Sequence, residues 1–318
     1  IFIDRIIFLL SAENKTELVK RHFKWIYNKY FHNRDVVLDR PIILISACKN
    51  KEQTGDFKYN GGIKFYNMCV KLLRSKGFLA YVVTYDGKYQ SWMIDHQPHI
   101  SLQVAREWKK AGKNLRFFTT WLDALAFNNL ADKIYFHDAE LAYSFGIHLP
   151  LLSEFIESDR IVLSTETRAE QSYYRALFHL DTHLIPPYLD PDYFFPDPSI
   201  RIKNRIGYVI EDLGTETQIN KISKIKNALK KNNIKAEFIL AHGTESEFNL
   251  QLQSCDFFIG LNPGKDKFHS EGLARMHLEA MGLGVVVLAF DVGGNREFIF
   301  DNVNGRLIEQ GNLNKLIE

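Results

Sequence analysis

Two carboxylates, Glu271 and Glu279, stand eight positions apart in the run Ser270-Glu271-Gly272-Leu273-Ala274-Arg275-Met276-His277-Leu278-Glu279-Ala280-Met281. On a helix that separation is about 12 Å of rise, too far for the two groups to share a proton or a metal. The pair instead suits two parts of one long ligand. Ser270 is placed to cap a short helix over residues 272–281, and Gly282 to stop it. The first turn of such a helix offers unpaired N–H groups and the positive end of the dipole, an anion site. Gly272 and Ala274 are small enough for an anion to approach that backbone. Carboxylates accept hydrogen bonds from vicinal sugar hydroxyls. A nucleoside diphosphate sugar has the matching order of parts: sugar, diphosphate, ribose.

The chain continues through the apolar strand Val285 to Phe290, then Asp291-Val292-Gly293-Gly294-Asn295-Arg296-Glu297 and Asn304-Gly305. This array resembles the large fourth family of retaining glycosyltransferases, whose two Rossmann-like domains face a cleft in the GT-B architecture. The resemblance implies an α/β fold of that kind and transfer of a glucose-like hexose, from UDP before other nucleotides, to an acceptor hydroxyl with retention. It implies that Glu271 holds the donor sugar, that Glu279 binds the ribose, and that the backbone of Gly272, Leu273 and Ala274 lies along the donor. Neither a cofactor nor a catalytic metal is expected beside the nucleotide-sugar substrate.

Several elements must position these groups. Ile42-Ile43-Leu44-Ile45 reads as a strand buried on both faces. A polar loop follows and closes on Gly61-Gly62, then a helix over 63–76 with Tyr66, Cys69, Val70 and Leu73 inward, then a strand over 78–84. In the family such glycines let the backbone approach the donor, so Gly61 and Gly62 join the donor-binding set. Residues 101–111 read as a helix, 115–119 as a strand and 121–130 as a helix. The strand over 133–136 ends in His137-Asp138, and groups just past strand C-termini face the ligand crevice. His137 falls where the family places a histidine beside the reacting sugar; Glu166, just past the strand over 160–165, has a similar position.

The proline-rich run from Ile185 to Pro196 reads as the crossover between domains. Its Asp190-Pro191-Asp192 spells Asp-x-Asp, a metal-holding motif in another glycosyltransferase fold, but flanking prolines favour a turn. A second sheet begins at Arg205, with a helix over 219–230 and a strand over 236–240 that leads to Gly243, a further donor-side candidate. Where the family has an Arg and a Lys to clamp the diphosphate, this chain has Glu211 and Asp212, which repel one. Arg275, Lys265 and Lys267 are the candidate replacements. Glu297 is expected to stabilise the N-terminus of the helix that it opens. The family closes with a helix crossing back onto the first domain. Here either the C-terminal end is cut short or an N-terminal helix does part of that docking.

The 318 residues favour two domains, read as 41–187 on the acceptor side and 188–318 on the donor side, with residues 1–40 as a helical extension packed on the first. A helix over 14–31 in that extension has a basic face, Lys15, Lys20, Arg21, Lys24 and Lys29, read first as a solvated face and second as a peripheral membrane contact for reaching lipid-linked acceptors. Hydrophobic content of 46% and charged content of 25% suit a globular protein, and a formal charge of +2 leaves no overall basic footprint for nucleic acid. Three cysteines without metal or disulfide spacing fit a reducing compartment, so a cytoplasmic enzyme of polysaccharide or glycolipid synthesis is expected, able to meet the inner membrane face. The rival readings are a nucleotide-sugar binding protein without transfer activity, a sugar-nucleotide epimerase, and a metal-dependent transferase.

Overall fold

The computed structural model describes residues 40–46, 61–87, 95, 97–119, 130–138, 159–210, 215–261 and 274–318. Several expectations therefore lie outside the described residues: the helix over 14–31, the loop after Lys49, the helix over 121–130 apart from Leu130, Glu211 and Asp212, Lys265, Lys267, and the segment from Ser270 to Leu273.

The first sheet has seven strands: β1 (Ile42–Ser46), β2 (Leu79–Thr84), β3 (His99–Ser101), β4 (Leu115–Thr119), β5 (Lys133–Asp138), β6 (Ile161–Thr165) and β7 (His183–Leu184). They pair in parallel in the order β3-β2-β1-β4-β5-β6-β7, the doubly wound order with one strand added. Helices α1 (Gly61–Ser75), α2 (Leu102–Lys110) and α3 (Arg168–Phe178) connect them. A parallel sheet must be covered on both faces, and this one is. Leu44, Tyr81, Phe117 and Ile134 pack with Trp108 and Tyr174 of α2 and α3 on one side. Ile45, Ala80 and Val82 pack with Phe65, Tyr66 and Val70 of α1 on the other. Gly61 and Gly62 are the first two residues of α1, not a loop ahead of it.

The second sheet comprises β8 (Ile202–Tyr208), β9 (Glu237–Leu240), β10 (Cys255–Gly260), β11 (Val286–Phe290) and β12 (Gly305–Ile308). Its order β12-β11-β10-β8-β9, again all parallel, is that of the flavodoxin-like doubly wound sheet. Helices α4 (Thr215–Lys231) and α7 (Leu313–Ile317) supply Ile222, Ile225 and Leu316 to one face. Helices α5 (Glu245–Gln253) and α6 (Arg275–Gly282) supply Phe248, Leu252 and Ala280 to the other. Met68 of α1 and Phe194 of the crossover are buried in that second cluster, so the first domain completes the core of the second. Among the described residues no helix is long and apolar enough to cross a membrane.

Candidate functional site

Helix α6 carries the second of the two carboxylates. It starts at Arg275 with Ala274 as an uncapped N-cap residue (φ −74°, ψ 95°), so its first turn lies three residues later than the sequence reading and Ser270 is not its cap. It runs through Gly282 and ends on Gly284, whose φ of +76° suits glycine. Gly284 N donates to Met281 O at 2.9 Å and Val285 N to Ala280 O at 2.9 Å, a Schellman closure that Gly282 was expected to make. The inward face presents His277, Glu279 and Ala280. His277 Nδ1 lies 3.2 Å from Asn295 Oδ1, and Asn295 Nδ2 donates to Phe290 O at 2.9 Å. Burial pushes the His277 imidazole down to about 4, with the Asn295 contact opposing, so it is neutral at physiological pH.

Glu279 is 1% exposed and sits where α6 meets α1. Lys64 Nζ, from α1, is 3.4 Å from Glu279 Oε1 and 3.3 Å from Glu245 Oε1 at the start of α5. Arg275 Nε is 3.4 Å from the same Glu279 oxygen. Four buried or nearly buried charges, two of each sign, thus meet across the domain boundary, as buried ions must. Lys64 Nζ also stands 4.4 Å from the ring centre of Phe194. Gly243 (φ +105°) precedes the capping box Thr244–Glu247, which launches α5 and delivers Glu245 to this cluster.

Arg275 is committed to the same boundary. Its Nη2 donates to Tyr188 O at 3.1 Å and lies 3.8 Å from Met68 Sδ, and its guanidinium stands 5.0 Å from the Phe65 ring centre. Of the three cations expected to replace the diphosphate clamp, it is the one described, and its described partners belong to the protein.

The Phe65 ring also stacks on His137, with centroids 5.8 Å apart, and Phe118 lies 5.3 Å from the imidazole. His137 is therefore 0% exposed, packed between α1 and the sheet. Its Nδ1 lies 3.1 Å from Ser164 Oγ, and its Nε2 is 3.5 Å from Glu166 Oε1. Behind this pair, Tyr174 donates to Asp138 Oδ2 at 2.7 Å, and Glu170 Oε2 accepts from Glu166 N at 2.7 Å and Thr167 N at 2.9 Å. Burial first, then the field of Glu166, pushes the Glu170 carboxyl up to about 8.

The Asp-x-Asp of the crossover is a turn: Asp192 N donates to Asp190 Oδ1 at 3.1 Å. Asp190 Oδ2 is 2.6 Å from Lys71 Nζ of α1, and Lys71 also approaches Asp95 (3.4 Å) and Asp192 (3.6 Å). Desolvation is the largest single influence on the Lys71 ammonium and works against it, but the hydrogen bonds and charges of Asp190 and Tyr193 together outweigh it and hold the group above its ordinary value. Among the described residues no cluster of His, Cys, Asp or Glu is arranged to hold a metal. Glu297 does not serve the helix after it. Its Oε1 accepts from Arg168 N (3.1 Å) and Ala169 N (3.3 Å), which caps α3 of the first domain with a carboxylate from the second.

Lys64, Glu245 and Glu297 are the boundary residues whose partners sequence reasoning missed. A signal existed for Lys64: it lies among the buried residues of α1, next to Phe65 and one turn before Met68. Its partners are some 180 and 215 positions away, so nothing local announces them.

Residues 206–318 match the family model described as glycosyl transferases group 1. A search of curated proteins finds no match. Among solved structures, a sucrose-phosphate synthase from Thermosynechococcus elongatus superposes with a TM-score of 0.62 at 13% identity, covering 87% of this chain and 88% of that one. A glycosyltransferase from Rickettsia africae gives 0.60 at 13% identity, covering 88% and 87%. The HepE protein of Anabaena, in complex with UDP and glucose, gives 0.57 at 14% identity, covering 86% and 87%. At such identities the likeness is one of fold: two Rossmann-like domains in the GT-B arrangement. Residues 206–318 thus carry a match to the glycosyl transferases group 1 model on a chain with the two-domain GT-B fold, and together these support a glycosyltransferase.

Proposed function

We propose that the protein transfers a glucose-like hexose from a nucleoside diphosphate sugar, with UDP as the nucleotide, to a hydroxyl of a sugar or lipid-linked acceptor, with retention and without a metal. The observation that carries this reading is the match of residues 206–318 to the glycosyl transferases group 1 model. Glu279, the carboxylate expected to take the ribose, lies on the helix that follows β10, beside the β8–β10 pair at which the crossovers of this doubly wound sheet change direction. The UDP and glucose bound by the Anabaena protein of the same fold support the choice of nucleotide. In this reading the second domain holds the donor through Glu271, Glu279 and the backbone from Gly272 to Ala274, with Arg275, Lys265 and Lys267 as the candidate diphosphate cations. The first domain, with α1 and the ends of β5 and β6, faces the transferred sugar. Fixed donors around the departing diphosphate lower the barrier, and Glu271 sets the sugar's orientation.

Incubating the purified protein with UDP-glucose tests the reading. Release of UDP and an α-configured product supports it. Conversion to another sugar nucleotide makes the enzyme an epimerase, and binding without turnover makes it a binding protein. Glu271→Ala is expected to abolish turnover while leaving UDP affinity largely intact.

A further inference from the structure

The ends of β5 and β6 carry a couple in which the expected histidine is the inner member. The Ser164 hydroxyl lies 3.2 Å from Phe136 O and 3.1 Å from His137 Nδ1; donating to Nδ1, it leaves the ring proton on Nε2, toward Glu166. That bond fixes the ring and leaves Nε2 as the nitrogen aimed outward. Nε2 is buried and makes no hydrogen bond; the group in front of it is Glu166 Oε1, at 3.5 Å. Glu166 is the outer member, with its side chain 10% exposed where that of His137 is sealed. It follows the last residue of β6, at the sheet edge where ligands of this architecture lie. Its main chain is pinned, because Glu166 N donates to Glu170 Oε2 inside the capping box of α3. Among the described residues, His137 is the one side-chain partner of its carboxylate.

The couple lies beside the second domain through Phe65 of α1. The Phe65 ring stacks on His137 with centroids 5.8 Å apart, and the Arg275 guanidinium of α6 stands 5.0 Å from the same ring centre.

We propose that Glu166, and not His137, is the first-domain residue that touches the hexose of the donor, accepting a hydrogen bond from one of its hydroxyls, and that His137 is the positioning residue that holds it. A carboxylate at the C-terminal edge of the sheet suits a hydroxyl donor; the imidazole, with Nδ1 against Ser164 and Nε2 behind Glu166, has no nitrogen left to meet one. The inference rests on the nucleotide-sugar reading above, and it adds which side chain reads the sugar.

The test compares UDP with UDP-glucose by calorimetric titration of the wild type, Glu166→Gln and His137→Asn. Glu166→Gln keeps the shape and removes the charge. It is expected to weaken UDP-glucose about tenfold or more, the worth of one hydrogen bond to a charged group, while UDP affinity stays within about twofold of wild type. His137→Asn is expected to lose the same preference for UDP-glucose over UDP in smaller measure. Because Glu166 is the outer residue, its variant stands as a test even if the His137 variant fails to fold. An unchanged ratio of UDP-glucose to UDP affinity in Glu166→Gln overturns the inference alone, as does an equal loss for both ligands. A wild-type protein that binds neither ligand overturns the donor reading and this inference with it.

Discussion

Lys64 Nζ of the first domain lies 3.4 Å from Glu279 Oε1 of the second, and both side chains are sealed from solvent. An ion pair this deeply buried gains its Coulomb energy only against a large desolvation cost, so it is informative about geometry more than about net stability. Breaking it from one side is another matter. Lys64→Met takes the ammonium at 3.3 Å from Glu245 and leaves Glu279 with Arg275, and is expected to destabilise the chain by about 3–5 kcal/mol. Thermal melting of Lys64→Met, Glu279→Gln and the double variant checks this. The double variant should lose less than the sum of the singles, and an unchanged melting temperature for Lys64→Met would show that the domains do not meet here.

Gly260, the last residue of β10, lies directly under the His277 ring, and any Cβ there would overlap Nε2 and its neighbouring ring atoms. Gly260→Ala should therefore cost at least about 1–3 kcal/mol through forced repacking. His277→Ser in the same chain should recover part of that loss. Equal melting temperatures for Gly260→Ala with and without the second change would contradict the packing.

The same His277 gives stability a pH dependence. Its folded value, about 4, is depressed from 6.5, so the native state favours the neutral ring. Its contribution is present above pH 6.5 and is lost as pH falls from there toward 4. Replacing His277 by Gln should flatten the acid limb of the stability profile over that window, as read by urea denaturation at pH 4.5 and 7. Glu170 acts in the opposite direction. Its carboxyl is raised to about 8 from 4.5, so its contribution is full below pH 4.5 and is lost as pH rises toward 8. Glu170→Gln, which keeps an oxygen for the Glu166 and Thr167 amides, should raise the melting temperature at pH 8 and leave it nearly unchanged at pH 4.5.

The crossover turn offers a test of the metal question. Asp190 is engaged by Lys71 at 2.6 Å and by the Asp192 amide. Sugar transfer should survive EDTA, and Lys71→Met should lower the melting temperature without creating a metal requirement. Loss of activity with EDTA, restored by Mg²⁺ or Mn²⁺, would return Asp190-Pro191-Asp192 to the role of a metal ligand.

What the sequence revealed follows physical range. The apolar run at Ile42–Ile45, the alternation through Leu115–Thr119 and the buried strand ending at Phe290 were legible because a two-sided parallel sheet writes itself into consecutive residues. The crossover prolines were legible for the same local reason. The start of α6 was misplaced because Ser270 and Gly272 offered cap and helix signals, while Ala274, which the chain uses, offers none. His137 was singled out, but its burial under Phe65 and Phe118 was not legible, since that depends on α1 packing back over β4 and β5. Lys64 with Glu279, and Glu297 with the α3 amides, pair across 215 and 129 positions, a range that no motif spans.

The role given to Glu279 can be measured directly by titrating UDP-glucose into the wild type and into Glu279→Gln, with circular dichroism confirming that the variant is folded. If Glu279 takes a ribose hydroxyl, the variant should bind about tenfold more weakly, as loss of one hydrogen bond to a carboxylate requires. Equal dissociation constants for the two proteins would place the donor elsewhere and contradict the site.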